Sequence, residues 1–209
     1  MEINSINLYN KNGITAEKAE KESGKMTEDN TILIAQLNAA KDYKDEELIM
    51  KSALKANKIK QISSLVYQSD DYFYADLLQF NSKVQAHNLK KLTEAQIGIA
   101  PKFIDYIEKG SYGMLVTQIK DLKEQHKLMP LSEGYSLLSD EEKHSAYKDV
   151  QKLLKMGIIN QEMLRGDRAF YVNSANNKII VPSWEQIRPI DNGEAESILS
   201  TIHSTLFRN

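Results

Sequence analysis

Apolar side chains recur at three- and four-residue spacing along much of the chain, the period of a helix with one buried face. Thr27 can cap the first such stretch, with Glu28 and Asp29 in its positive first turn, and Leu33, Leu37 and Ala40 share one face behind it. After a break at Asp42–Lys44, a second stripe runs through Ile49, Ala53, Ala56, Ile59, Ile62 and Val66, with Lys51, Lys55 and Lys58 opposite. Ser69-Asp70-Asp71 reads as a capped restart. Phe73, Leu77, Phe80 and Val84 follow at 4-3-4 spacing, and His87 continues their face. From Lys25 to Ile97 there is neither glycine nor proline, the two residues that most destabilise a helix interior. The pattern therefore predicts a body of long helices.

Gly98 and Pro101 end that section. Lys102–Lys109 then reads as a short helix stopped by Gly110. Met114–Leu128 reads as an amphipathic helix, with Leu115, Ile119 and Leu122 on one side, Lys120, Lys123 and Lys127 towards the other, and Pro130 closing it. Ser139-Asp140-Glu141-Glu142 is a capping box, in which Ser139 bonds the third helical amide and Glu142 reaches back. Tyr147, Val150, Leu153 and Leu154 line the apolar face of that helix, and Gly157 terminates it. Arg168–Val172 and Lys178–Val181 are β-rich and flank an Asn/Ser-rich loop, which predicts a β-hairpin. Trp184, with Ile187 and Ile190, is expected to cover an edge of the core. A last helix, Glu194–Phe207, is expected to dock on the N-terminal helices through Ala195, Ile198, Leu199, Ile202 and Leu206.

The expected fold class is mostly α, α+β in detail because of the one hairpin. Its parts are an extended or flexible arm (1–26) with a small apolar strip at Ile3, Ile6 and Leu8, a helical body (27–110), a helix plus β-hairpin module (111–190) and a C-terminal helix packed on the body (191–209).

Composition narrows the chemistry. A length of 209 residues with 41% hydrophobic and 27% charged residues suits a globular chain with a real core. With no cysteine, disulfides, thiolate metal sites and cysteine nucleophiles are excluded. The formal net charge of −2 attracts neither nucleic acid nor an acidic membrane by itself. No run reaches the length of a membrane span, and the first residues lack the basic and apolar regions of a secretory signal. The expected location is cytoplasmic, with export by a specialised route left open. The Asn-, Lys- and Ile-rich composition hints at a bacterial, phage or plasmid gene.

Catalytic motifs are missing. There is no phosphate-binding glycine loop, nucleophile elbow or zinc-binding helix. Asp140, Glu141 and His144 are close on one helix, but a metal helix offers two His or a repeated Glu-x-x-His, so no metal and no cofactor is expected. Arg165-Gly166-Asp167 spells an integrin-type tripeptide, and Gly166-Asp167 equally serves as the turn into the hairpin.

Leu153-Leu154-Lys155-Met156-Gly157-Ile158-Ile159 followed by Arg168–Asn173 resembles the second half of a winged helix-turn-helix, in which a recognition helix ends in a Leu-x-x-Gly pattern before a hairpin wing. The resemblance covers about residues 111–182. It implies that Lys143, Ser145, Lys148, Lys152 and Lys155 face DNA and that Arg168 and Lys178 flank the wing. Asp140, Glu141, Glu142 and Asp149 would repel phosphate there. The leading expectation is accordingly a non-enzymatic interaction protein with a protein partner: an adaptor, an assembly subunit or a secreted factor. A DNA-binding winged-helix protein and an enzyme with no recognisable motif are the alternatives.

Overall fold

The computed structural model describes residues 28–122, 127–191 and 193–208; the expected arm, 1–26, lies outside them. Two helices come first, α1 (Glu28–Ala39) and α2 (Tyr43–Lys55). Asp42 caps α2, its carboxylate accepting from the amides of Lys44 at 2.9 Å and Asp45 at 3.0 Å.

Where the apolar stripe predicts helix through Val66 and a further helix from Ser69, the chain forms three antiparallel strands: β1 (Lys60–Ser63), β2 (Val66–Ser69) and β3 (Tyr72–Leu78). The reason lies in residue type. Ile62, Val66, Tyr67, Tyr72, Phe73 and Tyr74 are β-branched or aromatic and pack well on a pleated surface. Burial along β3 alternates, with Tyr72, Tyr74 and Asp76 inward and Phe73, Ala75 and Leu77 half-buried on the other face. The turns need no glycine, because Asn57 and Asp70 adopt the left-handed region at φ 53° and 50°, which Asn and Asp tolerate better than other side chains. Asp70-Asp71 is thus a hairpin turn between the paired residues Ser69 and Tyr72 and caps no helix.

A helix does follow, α3 (Gln79–Glu94), but with a different buried face from the expected one. Ser82, Gln85, Ala86 and Leu89 are buried, while Phe80 is 77% exposed and His87 is exposed. The helices expected at Lys102–Lys109 and Met114–Leu128 are instead the strands β4 (Lys102–Lys109) and β5 (Tyr112–Gln118). Gly110, at φ 58°, turns the hairpin between them. The five strands form one antiparallel sheet in the order β1-β2-β3-β5-β4, and α3 connects β3 to β4. On one face, Leu33, Leu37, Met50 and Ala53 of α1 and α2 pack on Tyr74, Ile107, Met114 and Val116. On the other, Ala86, Leu89 and Leu92 of α3 join Leu115 in the main core. The fold is therefore α+β around a five-stranded sheet, which corrects the expected mostly α architecture.

The second half comprises β6 (Leu128–Pro130), the short α4 (Leu131–Gly134), a 3-10 turn (Tyr135–Leu137), α5 (Asp140–Lys155), β7 (Ile158–Asn160), a 3-10 segment (Gln161–Arg168), β8 (Tyr171–Asn173), β9 (Lys178–Ile180), β10 (Ile187–Pro189) and α6 (Glu194–Leu206). The hairpin β8–β9 is joined by β6 at the β8 edge, and β7 pairs with β10. Ser139 accepts from the Glu142 amide at 3.1 Å as expected. The Glu142 carboxylate, however, accepts from the Ile179 amide at 3.1 Å, tying helix to hairpin. Trp184 is fully buried, at the centre of the core and not at its edge, and its indole N–H donates to Val181 at 2.6 Å. α6 packs chiefly on α5 and on segment 161–168.

The winged-helix resemblance stops at one helix and a hairpin. The segment that would supply its first helix is β5, and α5 is preceded by β6, the four-residue α4 and the 3-10 turn, so no helix-turn-helix is formed. Among the described residues no helix is long and apolar enough to cross a membrane.

Candidate functional site

Of the residues expected to face DNA, Ser145, Lys148, Lys152 and Lys155 fall at three- and four-residue spacing on α5 and are exposed. Arg168 and Lys178 are exposed as well. Lys152 is paired with Asp149 at 2.8 Å. Lys143 is paired with Asp140 at 3.1 Å and lies 4.6 Å over the Tyr135 ring. Asp149, expected to repel phosphate, is buried, and one of its oxygens accepts from the amides of Gly98 at 2.6 Å and Ile99 at 3.1 Å. It anchors α5 to the turn that follows α3. Aromatic contacts join His144, Tyr147, His203 and Phe207 across α5 and α6.

Two arrangements carry chemistry that the sequence reading passed over. The first lies under α2. Glu46 and Asp76 are 2% and 8% exposed, and among the described residues Glu46 Oε2 and Asp76 Oδ1 have no hydrogen-bond partner. Tyr43 shares a hydrogen bond with the Asp76 carboxylate, and its ring stacks on Tyr112 at 4.8 Å between centroids. Burial first, and then the Asp76 charge, push Glu46 up to about 7, and Lys109 opposes them. Burial raises Asp76 as well. A signal for both was present. Glu46 lies on the same helical face as the buried Met50 and Ala53, and Asp76 falls on the inward period of β3 with Tyr72 and Tyr74. An acid on an apolar stripe departs from the pattern.

The second is the 3-10 segment between β7 and β8. Asn160 is fully buried; its side chain accepts from the Glu162 amide at 3.1 Å and donates to the Ser183 carbonyl at 2.7 Å. Those bonds fix the start of the segment. Glu162 Oε2 is 2.8 Å from Arg165, and Asp167 pairs with Arg208 at the end of the chain. Gly166, at φ 64°, takes a backbone that disfavours other residues, which brings Asp167 back towards α6. Besides these arrangements, α1 and α2 enclose an open groove of about 690 Å³ lined by Ile32, Leu33, Leu48, Ile49 and Ala53; it lies on a different side of α2 from Glu46.

No protein-family model matches the chain, and no curated protein matches it in sequence. Solved structures with a similar arrangement include the Cydia pomonella granulovirus kinase PK-1, with a TM-score of 0.47 and 10% identity over 69% of this chain and 57% of that one. Another is WbdD in a co-crystal with the kinase inhibitor LY294002, with a TM-score of 0.45 and 15% identity over 66% of this chain and 34% of that one. The chain spans less than two thirds of either. The expectation of a non-enzymatic adaptor, assembly subunit or secreted factor is corrected here. Part of its support was a body of amphipathic helices, and the chain between Lys60 and Gln118 instead supplies the five strands of one antiparallel sheet.

Proposed function

We propose that the protein is a kinase-like enzyme whose reactive loop is the segment Asn160–Asp167. The observation that carries this reading is a spacing at a defined place in the chain's own topology. Protein kinases carry a Lys on the third strand, a Glu on the helix after it, and, later, a catalytic loop in which an Asp is followed five residues on by an Asn. Here a third strand leads into α3. Further on, between β7 and β8, Glu162 is followed five residues on by Asp167. Glu162 stands where the proton-accepting acid would stand, and Asp167 where the second oxygen ligand would.

β3 contains no Lys, and the only acid of α3 is its last residue, Glu94. The β1–β2 turn has no Gly, and Val181-Pro182-Ser183-Trp184 follows β9 where kinases place Asp-Phe-Gly. Glu162 and Asp167 are both held by arginines, and no group of three or more acids or histidines among the described residues could hold a metal. The residues present do not fit a magnesium ion held as kinases hold it. What Glu162 can do is accept a proton from an acceptor hydroxyl once its pairing with Arg165 opens.

The test is incubation with γ-labelled nucleotide and Mg²⁺ or Mn²⁺, with nucleotide binding followed in parallel by thermal shift. Slow incorporation of label that Glu162→Gln abolishes, with binding retained, is the expected result. Neither nucleotide-dependent stabilisation nor label transfer under any of these conditions overturns the reading.

A further inference from the structure

We propose that the α1–α2 layer is a pH-sensitive cover on the sheet, docked while the buried Glu46 is protonated and loosened when Glu46 and Asp76 are both ionised. The two acids come from opposite sides of one interface, Glu46 from α2 and Asp76 from β3. Each is more than nine-tenths buried and each has an oxygen with no partner among the described residues. A buried carboxylate is costly, and the charge of Asp76 adds to the cost of ionising Glu46. A proton on Glu46 removes its charge from the interface.

The groups around the pair do not neutralise it. On α2, Tyr43 shares its hydrogen bond with Asp76, and Glu47 is paired with Lys51 at 2.8 Å. From β2, Tyr67 feels the charges of Asp76 and Glu47, and from β5, Tyr112 stacks on Tyr43. Among the described residues the cation whose charge reaches Glu46 is Lys109 of β4, and its ammonium is already bound to the carbonyls of Asn38 and Ala40. Those carbonyls lie at and just beyond the end of α1, so Lys109 serves the helix terminus.

The sign follows from linkage. The folded Glu46 titrates near 7, above the ordinary 4.5. Its contribution to docking is therefore fully present below pH 4.5 and is lost as pH rises through about 7. Loosening the layer uncovers Tyr74, Ile107, Met114 and Val116, which α1 and α2 now bury.

The experiment is hydrogen exchange of the full chain from pH 5.5 to 8.5, read as protection factors so that the intrinsic pH dependence of exchange cancels. Amides of α1, α2 and the strands they cover are expected to lose protection roughly tenfold or more across neutral pH, while those of α5 and β8–β9 do not. Glu46→Gln is expected to flatten that profile. Should the variant fail to fold, the Glu46 carboxyl carbon is titrated in the wild-type protein by NMR. A midpoint in the ordinary carboxylate range, or protection of the layer that is independent of pH, overturns the proposal. So does a Glu46→Gln profile identical to the wild type. Protection at high pH that depends on Na⁺, K⁺ or ammonium would mean that the acids hold a cation in place of a proton, and would also overturn it.

Discussion

Asp149 and the Glu46–Asp76 pair are buried to nearly the same degree, at 6%, 2% and 8% exposure, yet the molecule treats them in opposite ways. Asp149 accepts from two backbone amides and pairs with Lys152, so its charge is matched on both oxygens. Glu46 and Asp76 each keep one buried oxygen with no hydrogen-bond partner among the described residues. A buried acid whose charge is fully met is a tie; one whose charge is unmet responds to protons. The first kind joins α5 to the α3–β4 turn. The second lies beneath a two-helix layer on the outer face of the sheet.

Substitutions can break or sharpen that contrast. The largest effect is expected at Asp149. Replacing it by Ala strands the amides of Gly98 and Ile99 and should cost about 3 kcal/mol, read as a drop in urea midpoint with an unchanged slope. Glu46→Gln should do the reverse at high pH. Because the folded Glu46 titrates near 7, wild-type thermal stability should fall from pH 5 to pH 8, and the variant should hold level and exceed the wild type at pH 8. If both substitutions lower stability equally at every pH, the two sites are alike and the contrast fails. Lys109→Met removes the charge that holds Glu46 down, so the Glu46 carboxyl resonance should titrate at higher pH than in the wild type. Tyr43→Phe removes the hydrogen bond that lowers Asp76, and a smaller upward shift of Asp76 is expected in the same spectra. Least of all, Lys148→Ala and Lys155→Ala, on the exposed side of α5, should change stability by less than about 0.5 kcal/mol.

The sequence determined some elements by local chemistry alone. Ser139 as a cap, Gly157 in the left-handed region at φ 74° and the Asn-rich turn of β8–β9 are set by interactions within a few residues, which a pattern can carry. The same holds for the amphipathic α5, whose inward face is Ala146, Val150, Leu153 and Leu154. The candidate sites were only partly readable. Glu46 and Asp76 stand out as acids on buried periods, but nothing local says that one interface buries both, since one lies on a helix and the other on a strand. Glu162 and Asp167 gain meaning only from their place between β7 and β8.

Tertiary structure decided the rest. Between Lys60 and Gln118, apolar residues at three- and four-residue spacing fit a helix, yet the chain pairs strands whose partners lie up to 46 positions away, as Tyr72 does with Gln118. Strand pairing satisfies the backbone across the sheet, and both faces are then covered, one by α1 and α2 and the other by α3. Tyr74, Met114 and Val116 therefore gain more by stacking under two helices than by lining one. A local period records which residues avoid water. It does not record which distant segment will exclude the water, and here that choice made a sheet.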